Sequence, residues 1–178
     1  MKKVFQLGAS ATVVVILCFI SSCSPNVSLP AQETITRMNI IMTNNNSLHI
    51  DTFSFIQFKP NPATRDSIKL VANTTYAVRV QLLNEAATPT QVVSDTIIAL
   101  ADIHLLVIQP DPLDSLLSVK ILDKDSKGLP LGLFSTMKTN GARYGYLHLA
   151  LRHQPGSKNG TETPGESDFE ADYPVVVR

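Results

Sequence analysis

Tryptophan is absent from this 178-residue chain, and aromatic residues make up only 6% of it. That argues mildly against a sugar-stacking platform, which relies on broad aromatic faces. Cysteine is almost as scarce, with Cys18 and Cys23 the only two. Cys18 falls in an apolar leader, so a chain processed at Cys23 has no partner for an internal disulfide, and its core must hold the fold unaided. There is no excess of either charge: 15 Lys and Arg balance 15 Asp and Glu. Without a basic stripe, nucleic acid is not an expected partner. No G-x-S-x-G elbow, phosphate-cradling glycine loop or free catalytic thiol occurs, and no Ser, His and Asp fall at a spacing that implies a triad. The chain is therefore not expected to be an enzyme, and no cofactor is expected.

What is present begins at the N-terminus. Lys2 and Lys3 precede an apolar run from residue 4 to residue 20, broken only by Gln6, Gly8, Ser10 and Thr12. The run is short for a spanning helix, and Ser21 and Ser22 follow directly, the layout of a cleaved secretory signal. Ile20-Ser21-Ser22-Cys23 makes it a lipoprotein signal: a small residue precedes the cut, and the Cys23 thiol takes the lipid. The alternatives are an ordinary signal peptide or an uncleaved anchor. The expected organisation is a signal peptide at 1–22, a lipidated tether at 23–36 and one domain at 37–178. Two or three acyl chains on Cys23 attach a protein stably, whereas one chain is marginal. Ser24 and Pro25 stand where an Asp commonly retains a lipoprotein in an inner membrane, so an outer membrane is expected. No acidic run follows Cys23, which favours the periplasmic face.

Cleavage removes 22 of the 178 residues and leaves 156, enough for one domain with a sizeable core. Lys2 and Lys3 leave with the leader, so 13 basic residues face 15 acidic ones, a net charge of −2. Beyond the Pro/Ser/Gln-rich tether the chain reads as strand. Runs fall at 37–43, 48–58, 68–72, 76–84, 96–100, 103–109, 117–123, 144–153 and 169–178. Asn44-Asn45-Asn46, Lys59-Pro60-Asn61-Pro62, Thr88-Pro89, Pro110-Asp111-Pro112 and Asn140-Gly141 punctuate them. Alternation is clearest at Tyr76, Val78, Val80 and Leu82, at Leu147, Leu149 and Leu151, and at Phe169, Ala171, Tyr173, Val175 and Val177. Period-two patterns with short turns predict an all-β domain, a single antiparallel β-sandwich of immunoglobulin-like or similar type. The stretches 97–100 and 103–108 are apolar on both faces and are expected to be central strands. A polar, glycine-rich loop is expected at 154–168.

Candidate chemistry is sparse. His104, His148 and His153 bind a transition metal if their strands bring them together, since neutral imidazole is the usual ligand. Scattered sheet histidines are more often surface or hydrogen-bonded residues. The turn from Asp123 to Gly128 resembles the first half of a calcium loop, with Asp123 and Asp125 at the first and third positions. It lacks a closing carboxylate and carries Lys124 and Lys127, so a plain turn is the simpler reading. The long connection near the C-terminus marks Arg152, His153, Lys158 and Glu166 as a partner- or ligand-facing surface, because long loops on rigid sheets tend to carry recognition. A merely tolerated insertion is the alternative. Ser67, Thr96 and Ser115 each follow Asp and precede an apolar residue, which resembles the O-glycosylation acceptor of Bacteroidota secreted proteins.

A broader resemblance rests on the C-terminal half. Its residues are Asp102-Ile103-His104, the run from Asp123 to Gly132, the run from Gly145 to Pro155, Lys158, and Gly165-Glu166-Ser167-Asp168-Phe169. Together they resemble small uncharacterised Bacteroidota outer-membrane lipoproteins of the kind associated with TonB-dependent receptors. In this chain Ile97-Ile98-Ala99-Leu100-Ala101 stand where that group carries acidic residues ahead of the His104 position. The resemblance implies a lipid-anchored, non-catalytic accessory or ligand-presenting partner of an outer-membrane uptake system. The alternative is a structural or adhesin-like sandwich that assembles by strand exchange.

Overall fold

The structure, a computed structural model, describes residues 32–57 and 61–178. The leader, Cys23 and the tether as far as residue 31 lie outside the described residues. Eleven strands and one short helix are described: β1 (Arg37–Asn44), β2 (Ile50–Ile56), β3 (Thr64–Arg65), β4 (Ile68–Leu70), β5 (Thr75–Asn84), β6 (Gln91–Val92), α1 (Val93–Ala99), β7 (His104–Asp111), β8 (Leu117–Ile121), β9 (Phe134–Thr139), β10 (Arg143–His153) and β11 (Glu166–Val177). They form two sheets. The larger runs β3-β2-β1-β5-β9-β8, with β6 also on β5, and the smaller runs β4-β11-β10-β7. The architecture is mostly β and largely antiparallel, consistent with a β-sandwich.

The alternating residues explain both sheets. In the larger, Met38, Ile40 and Met42 of β1 lie opposite Leu82, Val80 and Val78 of β5. In the smaller, Leu147, Leu149 and Leu151 of β10 lie opposite Tyr173, Ala171 and Phe169 of β11. All belong to one continuous buried cluster, and every second residue along each strand points into it. Tyr173 is fully buried, which would strand its hydroxyl without a partner. The hydroxyl instead donates to the Met38 carbonyl at 2.9 Å and ties the two sheets together. Phe55 packs edge-on to Phe169 beside this link, with ring centroids 5.5 Å apart.

Four local expectations need correction. Residues 96–100 are not a strand: Val93–Ala99 is helical, with Val93, Ser94 and Ile97 buried and Ile98 exposed. Burial at the first, second and fifth positions follows a helical face, and the Ser94 hydroxyl accepts the Leu82 N–H at 2.6 Å. Next, β7 is an edge strand rather than a central one. Its apolar character has another cause, because the turn after β8 docks on that edge. Leu106 N–H donates to the Leu131 carbonyl at 2.7 Å, and a Cβ on Gly132 would fall 2.2 Å from the Leu106 carbonyl oxygen. Third, β9 escaped the sequence reading; its buried positions are Ser135, Met137 and Thr139, so its inner face is two-thirds polar. Finally, β4 pairs with β11 in parallel, so the fold is not wholly antiparallel.

Candidate functional site

The segments singled out in the C-terminal half are scattered in sequence and meet at one end of the smaller sheet. His104 opens β7 and His153 closes β10, directly opposite each other in register. Side chains at such a pair leave the sheet side by side, and the imidazoles are stacked, with centroids 5.1 Å apart and planes 15° apart. On the next strand the register slips: Leu151 faces Phe169 and Arg152 faces Ser167, so Asp168 is the extra residue of a β-bulge. Bulges redirect side chains, and this one turns the Asp168 carboxylate into the cluster. Its Oδ2 lies 3.7 Å from Nε2 of His104, and both side chains are almost wholly shut off from solvent.

The hydrogen bonding fixes the tautomer of His104. Its Nδ1 lies 3.0 Å from the Leu100 carbonyl oxygen, which can only accept, so Nδ1 carries the hydrogen and Nε2 of the neutral ring carries a lone pair. Burial pushes the His104 pKa down to about 4, opposed by the Leu100 bond and reinforced by His153 and Lys158. The ring is therefore neutral at pH 7. Burial holds the Asp168 carboxyl above its ordinary value, with Glu33 and Glu166 adding to the rise. His153 and the Glu33 backbone amide pull the other way. Both Asp168 oxygens, Nε2 of His104, Nε2 of His153 and Nε of Arg152 are buried without a closed side-chain hydrogen bond among the described residues.

Around this cluster the loop at 154–165 is fastened down. Gln154 is fully buried, and its Nε2 lies within hydrogen-bond reach of the Thr161, Glu162 and Pro164 carbonyls at 2.9, 3.3 and 2.6 Å. Lys158 crosses to Ala101, donating to its carbonyl at 2.8 Å, and pairs with Asp125 Oδ2 at 2.8 Å. Gly165, at φ +92°, lets the chain return to β11, because a Cβ there would lie 2.2 Å from the His153 carbonyl oxygen. Arg152 reaches across to the Ser167 hydroxyl at 2.5 Å and to the Gly165 carbonyl.

This arrangement revises the expected surface. Lys158 has 1% of its side chain exposed and is an internal tie rather than a partner-facing residue. His153 is likewise buried, and Arg152 is half-buried and paired; of the four, Glu166 is exposed. His148 does not join His104 and His153. It faces Gln109, five positions along β10, and its Nδ1 lies 2.7 Å from Asp172. Among the described residues no three ligating side chains converge as a metal site. The stacked rings show why: lone pairs lie in the ring planes, and two near-parallel planes do not aim at one point. In the Asp123–Gly128 turn the carboxylates serve the backbone. Asp123 accepts the Gly132 and Leu133 amides, both at 2.9 Å, and Asp125 Oδ1 accepts those of Lys127 and Leu129. Ser67 is exposed, while Thr96 in α1 and Ser115 are partly covered.

Two open clefts flank the cluster and the sheet. One, about 730 Å³, lies beside the cluster between residues 33–36 and 167–170, with Gln57 and Ala86 completing the wall. The other, about 530 Å³, lies on the outer face of the smaller sheet, where Tyr146 stands beside the His148–Asp172 pair and Arg65. Sequence reasoning found His104 and His153 but missed Asp168, since nothing in a sequence announces a bulge. No protein-family model, curated protein or solved structure matches this chain.

Proposed function

We propose that the chain is a lipid-anchored, non-catalytic accessory or ligand-presenting lipoprotein of an outer-membrane uptake system, with an immunoglobulin-like sandwich on the periplasmic face and a TonB-dependent-type receptor as partner. One observation supports it most. Residues 33–36, the last stretch of the expected tether, form a wall of the larger cleft. Glu33 lies ten positions after Cys23, a reach of at most roughly 35 Å when extended. A lipid on Cys23 therefore keeps this cleft within that reach of the membrane and whatever spans it. Inside the domain, the imidazoles and ammonium at this end are buried or paired within the fold, which suits a presenting surface better than an exposed reaction centre. Metabolic labelling with a palmitate analogue, followed by purification from detergent extract, tests the reading. Label on the native chain, loss of label in Cys23→Ala and a co-purifying outer-membrane receptor are expected; label retained by Cys23→Ala would refute the anchor.

A further inference from the structure

Every non-glycine residue with left-handed backbone among the described residues lies at the end of the sandwich remote from residues 33–36: Leu48 at φ +59°, Asn73 at +53° and Asp114 at +57°. Asparagine and aspartate tolerate that region, but a leucine is strained there. Leu48 lies in the β1–β2 hairpin, where glycine or asparagine is the usual left-handed residue, and its N–H donates to the Asn44 carbonyl at 2.8 Å. The strain brings no burial in return, because Leu48 is 73% exposed. It is not alone. Ile50 opens β2, Val71 precedes the turn into β5, Leu113 sits in the β7–β8 turn and Tyr144 near the start of β10. Each is more than half exposed, Tyr144 the most at 78%. Hydrogen bonds tie these turns into one face. Asn45 N–H donates to the Thr75 carbonyl at 3.0 Å and Asn73 N–H to the Asn140 carbonyl at 3.1 Å. The Asn140 side-chain amide reaches the Asp114 carbonyl at 2.8 Å, and Arg143 reaches the Ser115 hydroxyl at 3.1 Å. Single exposed apolar residues need no explanation, but large ones gathered on one face mark an interaction surface.

We propose that this face is the interface of a homodimer, in which two copies meet end to end about a two-fold axis and bury Leu48, Ile50, Val71, Leu113 and Tyr144 against the same face of the second copy. The charge on the face selects that occupant. Arg143 and Arg178 stand exposed beside exposed Asp111 and Asp114, and none of the four is in an ion pair among the described residues. An anionic lipid surface would repel the aspartates, and a partner charged with one sign would match only half of the set. A second copy presents both signs to both signs, since across a two-fold axis residue i meets j and j meets i. Aliphatic side chains, a tyrosine and few charges are also the composition of an interface core. The pairing agrees with the position of the larger cleft. Residues 33–36 fall at the two outer ends of such a dimer, so the cleft they line stays open in each copy. The pairing also accounts for a leucine at a left-handed position, because contact with the second copy offsets the strain that Leu48 imposes on each chain alone.

The test is sedimentation equilibrium of the full chain in density-matched detergent, over a range of protein concentrations. The native chain should sediment as a reversible dimer. Leu48→Asn, which puts a tolerated residue at φ +59°, should weaken the dimer at least about tenfold, and Tyr144→Ser should do the same. Ile98→Ser, at an exposed position near the opposite end, should leave it unchanged. Urea unfolding of the dilute, monomeric protein separates an interface leucine from a structural one. There Leu48→Asn should be at least as stable as the native chain, since the substitution removes backbone strain; a loss of stability would give Leu48 a role inside the fold and overturn the reading. A native chain that stays monomeric throughout the micromolar range overturns the proposal, as does a dimer that both substitutions leave intact. In cells, a photoreactive residue at Leu113 should capture a second copy, and capture of a different protein in its place overturns it equally.

Discussion

Replacing Lys158 by methionine separates a structural role from a surface role, because the two predict different sizes of effect. The ammonium lies 2.8 Å from Asp125 Oδ2 and 2.8 Å from the Ala101 carbonyl, with about 1% of the lysine side chain exposed. A charge-assisted hydrogen bond contributes about 1.5–3 kcal/mol, and an acceptor left unsatisfied costs about 1–3 kcal/mol. Two facts reduce the total: Asp125 keeps its amide bonds to Lys127 and Leu129, and methionine retains the packing of the lysine stem. A loss of about 2–3 kcal/mol is therefore expected, against roughly 0.5 kcal/mol or less for an exposed lysine. Urea unfolding followed by far-UV circular dichroism reads this directly. The loss should also depend on pH. Burial alone would raise the Asp125 carboxyl, but Lys158 and the Leu129 and Lys127 amides more than offset it and hold it below its ordinary value. For a depressed carboxylate the stabilisation is present above the ordinary pKa and fades as pH falls through the folded one, so the native and Lys158→Met curves should converge in acid. A loss below about 0.5 kcal/mol at neutral pH would return Lys158 to the surface and refute the tie.

Leu149, fully buried at the centre of β10, should lose several kcal/mol on Leu149→Asp, which buries an unpaired charge; an unchanged urea midpoint would contradict the core assignment. Gly165→Ala forces a Cβ to within 2.2 Å of the His153 carbonyl at φ +92°, so a loss of about 1–3 kcal/mol is expected in the same assay. His104 is neutral in the fold because burial pushes its value to about 4, so the unfolded chain takes up a proton first. The native protein should accordingly lose stability relative to His104→Gln as pH falls from about 6.5 towards 4, and parallel profiles would contradict that burial.

Most of the sheet framework was legible because its inner positions are apolar at every second residue. Tyr76 to Leu82, Leu147 to Leu151 and Phe169 to Val177 lie on β5, β10 and β11. Even the cross-strand pairing of His148 with Asp172 follows from the alternation once β10 and β11 are neighbours. The failures share one cause, that local composition does not report what lies above or beside a segment. Ile97-Ile98 reads as strand, yet one residue is buried and the other exposed on a helix. Strand β9 hides because Ser135 and Thr139 are buried polar residues. At the candidate site the residues were legible as types but not as partners. Lys158 reads as a surface cation until Asp125, 33 positions earlier, is seen beside it. Asp168 reads as loop until the bulge turns it towards His104.

Site-directed photo-crosslinking in cells tests most directly whether the cleft beside residues 33–36 meets the proposed partner at the membrane. A photoreactive residue at Thr34, on the cleft wall, is compared with one at Tyr144, exposed at the far end of β10. The two ends of that strand are about 30 Å apart at 3.3 Å per residue. An integral outer-membrane receptor captured from position 34, absent from position 144 and lost with Cys23→Ala is the predicted result. Equal capture from both positions, or capture from 34 that survives Cys23→Ala undiminished, would contradict it.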